Sequence, residues 1–215
     1  MDLYRAMHLH FGHQAWWPGD TPLEICIGAI LTQNTNWTNV EKALANLARV
    51  DCLSVSALHA IDREQLAQMI RPAGYYNIKA RRLMNFIAHV HDHSGDDIQA
   101  FLDRPVDVLR EDLLSINGVG RETADSMILY AARKPTFVID AYTFRIMCRH
   151  HLLGPEDDYE SAKYLFESNL PEDVELWNDY HAQLVAVGKN FCRPKCKCDQ
   201  CPLRDFEHET NCEWE

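Results

Sequence analysis

The chain has 215 residues, 47% of them hydrophobic, with 21 Lys and Arg against 32 Asp and Glu for a net charge of −11. That length and apolar share permit one or two domains with a proper core, and no Gly/Ser- or Pro-rich linker interrupts them. No apolar run approaches the roughly 20 residues that cross a bilayer, so an integral membrane protein is excluded and a soluble one is expected. The acidic balance argues against a nucleic-acid binder, which is usually basic, but the acidity is uneven. Residues 1–154 carry 15 basic and 17 acidic side chains, so the main body is close to neutral. Residues 155–179 carry one and nine, 180–202 four and one, and the last thirteen one and five, which gathers the acidity in two segments. Those segments can face away from a polyanion, because charges more than about 10 Å apart are largely screened at 0.1 M salt.

Helix signals dominate in chain order. Thr21-Pro22-Leu23-Glu24 and Thr38-Asn39-Val40-Glu41 have the form of capping boxes, the first with proline at the initial helical position. Asp62-Arg63-Glu64-Gln65 is a weaker one, whose helix stops before Pro72 and Gly74. Helical patterns follow over 77–93, 106–114 and 121–133, the last with Ala124, Met127, Ile128 and Ala131 on one side. Further helices are predicted over 141–152, 159–168 and 174–187. Phe137 to Ile139 is too short to insist on a strand. The expected fold class is all-α, without internal repeats.

The most informative stretch runs from Ile116 to Asp140. Asn117-Gly118-Val119-Gly120-Arg121 forms a turn in which two glycines remove the Cβ atoms that would block it. Successive backbone N–H groups can then converge on one phosphate oxygen, while carbonyls of the same turn hold a bridging monovalent cation. The turn opens onto a helix N-terminus, where the dipole and unsatisfied N–H groups favour an anion. A Gly-x-Gly pair alone is as often a plain helix connection. Asp140, where an apolar segment ends and a helical pattern begins, reads as an N-cap and as a reactive carboxylate. Both readings hold together, since a cap carboxylate is fixed in direction and kept ionised by backbone donors.

These residues resemble the helix–hairpin–helix plus Gly/Pro…Asp signature of the endonuclease III superfamily of DNA glycosylases. The likeness extends from Trp16 to the cysteines beginning at Cys192. It is nearest to the 3-methyladenine glycosylase branch in Ala15-Trp16-Trp17-Pro18, Ala29-Ile30-Leu31-Thr32-Gln33-Asn34-Thr35 and Arg71-Pro72-Ala73-Gly74-Tyr75-Tyr76-Asn77-Ile78-Lys79-Ala80. The resemblance implies two lobes: a six-helix lobe near 20–132 with the hairpin, and a second built from 1–19 and 133–215. It sets Asp140 at the mouth of a cleft between them. It also implies that Trp16, Trp17, Pro18 and Trp37 wall a base pocket, where aromatic faces favour a cationic base by roughly 0.5–2 kcal/mol. Gln33 would fill the gap left by the extruded nucleotide and Tyr75 would wedge into the duplex. Lys79, Arg81 and Arg82 would hold phosphates, or form a solvated face.

One departure is informative. Glu122 stands where endonuclease III carries a lysine nucleophile, and a carboxylate cannot form the imine that leads to strand cleavage. Water must then displace the base, with ionised Asp140 stabilising the developing oxocarbenium ion and orienting or deprotonating that water. An alkylated purine already carries positive charge and leaves readily, so one carboxylate suffices. The expected function is a monofunctional glycosylase for 3-methyladenine-type purines in damaged double-stranded DNA. The alternatives are an endonuclease III-like glycosylase/lyase for oxidised pyrimidines and a non-catalytic DNA-binding iron–sulfur protein. A 7-methylguanine or mismatch preference stays open.

Cys192, Cys196, Cys198, Cys201 and Cys212 are five of the eight cysteines, packed as metal ligands are. The resemblance implies a [4Fe–4S] cluster on Cys192, Cys198, Cys201 and Cys212. The gap after the central pair is longer than the family's, which leaves Cys196 open as a substitute and a four-cysteine zinc site as the rival. Lys189, Arg193, Lys195 and Lys197 make the surrounding loop basic, suited to a DNA backbone. The histidines do not read as a metal site, because their i, i+2 or adjacent spacing points neighbours apart. No secretory signal is seen, so disulfides are not expected, and a cytoplasmic, nucleoid-associated monomer of bacterial type is.

Overall fold

The computed structural model describes residues 1–210; among them are twelve α-helices and no strand. The all-helical expectation therefore holds for the described residues. Helix α1 (Asp2–Phe11) opens the chain. Helix α2 (Pro22–Leu31) starts on the first capping box, where Thr21 Oγ1 accepts from the Glu24 N–H at 3.2 Å and the Glu24 carboxylate accepts from the Thr21 N–H at 2.9 Å. Its exposed faces are few: Leu23, Cys26, Ile27, Ala29, Ile30 and Leu31 are all buried. A helix apolar all round belongs inside, and α3 (Trp37–Ala48), α6 (Tyr76–Ser94), α9 (Arg121–Ser126) and the π turn Met127–Ala131 pack on it. Between them run α4 (Val55–Ala60), α5 (Arg63–Met69), α7 (Ile98–Leu102) and α8 (Val106–Ser115), which close one core through Leu58, Leu66, Phe101 and Leu109. Residues 17–134 make up this compact unit.

The other unit joins Met1–Trp16 to the chain from Pro135 onward. It contains α1, α10 (Ala141–Arg149), α11 (Tyr159–Asn169), α12 (Val174–Asn190) and the 3₁₀ turn Cys198–Gln200. Its core is aromatic: Phe137 stacks on Phe166 at 3.9 Å, and Trp177 and Tyr180 present edges to Phe137. Burial of each such ring contributes about 1.5–3 kcal/mol. Helices α10 and α12 cross closely at Gly188, where a Cβ would lie 2.4 Å from the Tyr142 ring. Only glycine allows that approach.

Two details differ from expectation, and a third follows it. The second capping box is not used, because Asn36 caps α3 by accepting from the Asn39 N–H at 3.1 Å; the helix starts earlier and takes Trp37 into its first turn. The helix predicted over 121–133 widens into the π turn after Ser126, and Arg133 turns it off at φ +53°. Residues 137–139 are extended without a sheet, and the Phe137 N–H donates instead to Glu167 Oε1 at 2.8 Å. The sequence pattern does not mark α1, which has no side-chain cap, nor α4 and α7, which Ser54 and Asp97 cap but which run for only 6 and 5 residues.

Candidate active site and cysteine pocket

The turn between α8 and α9 closes when the Val119 N–H donates to the Ile116 carbonyl at 3.0 Å. Gly118 sits at φ +106°, and a Cβ there would fall 2.2 Å from Arg82 Cγ, so glycine is required for conformation and for space. The Gly118 carbonyl accepts from Gln33 Nε2 at 3.2 Å, and the same amide donates to Thr123 Oγ1 at 3.0 Å. Arg82 donates to Gln33 Oε1, and Asn85 Nδ2 donates to the Asn117 carbonyl at 2.9 Å. Gln33, Arg82 and Asn85 thus brace the hairpin from outside, while Val119 turns its side chain into the core. Gly120 caps α9, and Arg121 is exposed on its first turn beside Glu122.

Tyr75 precedes α6 in the left-handed conformation, φ +45°, with 69% of its surface exposed. A bulky residue held there is strained by about 1 kcal/mol or more, and the strain presents the ring outward. Lys79 requires a correction. It is 2% exposed, and its ammonium donates to the Leu31 carbonyl at 2.8 Å and to the Ala73 carbonyl at 2.7 Å. Burial, with the Arg82 guanidinium adding to it, lowers its pKa to about 8, so the charge persists at neutral pH. The charge is spent on the orphan carbonyls at the ends of α2 and the turn Arg71–Ala73, and a phosphate cannot reach it. Arg81 stays exposed on the same helix.

Of the aromatic residues, the structure joins Trp17 and Trp37. Trp17 stacks on Tyr130 at 4.9 Å and meets Trp37 edge-on at 5.2 Å. Tyr130, on the π turn, has no helical-face signal in the sequence to mark it as a pocket residue. Pro18 is exposed next to them in the chain. Trp16 lies in the other unit, with Lys189 Nζ 5.6 Å from its ring centroid.

Asp140 caps α10: its Oδ1 accepts from the Thr143 N–H at 2.7 Å. Its Oδ2 lies 3.7 Å from Nε2 of His181, a buried residue of α12. Two residues earlier, buried Asp179 gathers the N-terminal arm, accepting from the Gln14 N–H at 2.8 Å, Tyr4 Oη at 2.9 Å, Gln183 Nε2 at 3.2 Å and facing Nδ1 of His8 at 3.0 Å. Burial alone would raise the Asp179 pKa; these hydrogen bonds outweigh it and hold the carboxyl below its usual range. Neither His181 nor Asp179 is foreseen from the sequence, because their partners lie far away in the chain.

Cys192, Cys196, Cys198 and Cys201 line one pocket with Arg149, Val187 and Leu203. Cys212 lies outside the described residues. Among the described residues no three His, Cys, Asp or Glu side chains are gathered as a ready metal shell. The donor chemistry nonetheless fits a thiolate-held group. Buried Arg149 donates to Cys192 Sγ at 3.3 Å and the Leu203 N–H to Cys201 Sγ at 3.5 Å, contacts that suit anionic sulfur. Burial, reinforced by the neighbouring cysteines, raises the Cys198 thiol to about 12. A bound cation would offset that cost of gathering sulfurs.

With this geometry in view, residues 27–172 match the HhH-GPD superfamily of base excision DNA repair proteins. The chain belongs to that superfamily. A Methanocaldococcus jannaschii protein named as a candidate DNA repair glycosylase is 45% identical to this HhH-GPD protein over 205 residues, 95% of this chain and 93% of the relative. The structure of an H. pylori 3-methyladenine DNA glycosylase bound to 1,N6-ethenoadenine is similar at TM-score 0.76 and 27% identity, covering 87% of this chain and 94% of the other. A non-covalent endonuclease III–DNA complex matches at TM-score 0.82 and 23% identity over 96% and 92% of the two chains, which shows the shared fold. No described helix is long and apolar enough to cross a membrane.

Proposed function

We propose that this HhH-GPD protein is a monofunctional DNA glycosylase that flips an alkylated purine of the 3-methyladenine type out of double-stranded DNA and hydrolyses its N-glycosidic bond. The observation that carries the reading is Asp140: a half-buried carboxylate with one oxygen fixed by a helix N-terminus and the other turned to an imidazole. Such a group is directed before substrate arrives, which is what stabilising a cationic sugar requires. The likeness to a 3-methyladenine glycosylase structure supports the substrate class. The braced hairpin of Asn117–Arg121 serves as the phosphate grip, and Asn117 and Gly118 carbonyls keep a second lone pair each for a bridging monovalent cation. Trp17 and Trp37, with Pro18 beside them in the chain, serve as the aromatic surface for the base; Tyr75, exposed and strained outward, is the wedge. Gln33 must leave its hairpin partners to occupy the vacated stack.

The α9 helix offers Glu122 where an amine nucleophile would be needed, so strand cleavage is absent from this reading. A [4Fe–4S] cluster on Cys198 and Cys201 with Cys192, and Cys212 or Cys196 completing the set, would act as a covalent staple that shapes the basic loop of Arg193, Lys195 and Lys197. The protein acts as a monomer in the cytoplasm.

Incubation of the purified protein with methylated DNA should release 3-methyladenine and leave abasic strands uncut. Asp140→Asn should slow release by at least about 100-fold, the scale on which one electrostatic transition-state contact counts. Borohydride trapping of a covalent DNA adduct, on Lys189 or any other lysine, would replace this reading with the glycosylase/lyase one.

A further inference from the structure

His181 sits mid-way along α12, 4% exposed, with Nε2 3.7 Å from Asp140 Oδ2. The glycine crossing at Gly188 is what lets α10 approach α12 closely, and it brings the cap residue of one helix to a side chain of the other. A polar ring in so dry a place costs free energy unless a nitrogen meets a partner. Tyr4 and His8 of α1 face Asp179, and Arg145 and Arg149 of α10 donate to the Cys192 carbonyl and sulfur. Burial lowers the His181 pKa, with Asp140 opposing and Lys189 adding to the effect, so the ring is neutral near pH 7 and offers a proton donor more than a charge. The separation exceeds a hydrogen bond, as is common in free enzymes whose catalytic contacts tighten once substrate binds.

We propose that His181 is a positioning residue: its Nε2–H closes onto Asp140 Oδ2 and, together with the Thr143 N–H on Oδ1, fixes the plane in which the carboxylate meets the sugar. This rests on the reading of Asp140 as the catalytic carboxylate. The residue acts through Asp140 and touches no reacting atom.

The test uses the full chain in single-turnover excision on methylated DNA, with DNA affinity and thermal melting measured beside it, for His181→Leu, His181→Gln, His181→Asn and Asp140→Asn. His181→Leu fills the space without a donor and should lower the excision rate by about 10- to 100-fold, the worth of one hydrogen bond to a charged group, with DNA affinity unchanged. His181→Gln keeps an N–H at the reach of Nε2 and should recover to within about 5-fold of wild type, whereas His181→Asn, one carbon shorter, should not. Were His181→Leu insoluble, the Gln and Asn pair decides alone. Wild-type excision by His181→Asn, or equal impairment of Gln and Asn tracking the loss of melting temperature, overturns the proposal. Wild-type excision by Asp140→Asn overturns the catalytic reading itself, whatever the His181 variants do.

Discussion

Lys79 and Asp140 show opposite fates for a charged side chain. Lys79 is drawn inward because two helix ends leave carbonyls that need a donor, and its ammonium supplies both. Lys79→Met, similar in volume, should cost about 2–4 kcal/mol of stability in urea titration, since two buried acceptors lose their partner. The same variant should leave the dependence of DNA affinity on salt unchanged, because a buried ammonium neutralises no phosphate. A shallower salt slope would return Lys79 to the DNA-binding set. The Asp140 cap was legible from sequence because an acidic residue before a helix is a local pattern. His181 carried no such mark, since its significance depends on a partner supplied by another helix.

Among the elements, the N-terminal arm depends most on one side chain. α1 and the segment that follows it are tied to α12 through Asp179, which Tyr4, His8, His13 and Gln14 all face. The carboxyl's pKa is held below its unfolded value of about 3.9, so its contribution is fully present above that value and is lost as pH falls through the lower folded one. Hydrogen exchange of residues 2–11 should therefore accelerate on acidification below about pH 4 before the core of the 17–134 unit does. Asp179→Asn should release the arm at neutral pH and cost about 2–4 kcal/mol, the penalty for breaking a buried charged network from one side. Arm protection unchanged in that variant would refute the tie. A capping box made α2 readable and the Asp62 cap made α5 readable; α1 has no side-chain cap and is ordered by this tertiary anchor instead.

For the whole molecule, charge distribution and the cysteine pocket set the remaining expectations. With the main body near neutral and bases gathered in the loop around the cysteines, DNA affinity should be modest and fall steeply with salt. Protein purified without oxygen should be brown with a broad visible absorption band, and Cys198→Ser should remove the colour and lower the melting temperature. A colourless protein holding one zinc per chain would replace the iron–sulfur reading. The helical class, the hairpin with its two glycines, the cap carboxylate and the missing lysine are all readable along the chain, because each is a local pattern of spacing and residue type. Tertiary structure alone decided that Lys79 is interior, that Gln33 and Arg82 brace the hairpin, that Tyr130 backs Trp17 and that His181 stands behind Asp140. Those facts depend on which helices approach each other and how closely, and neither periodicity nor capping along one segment encodes a partner from another.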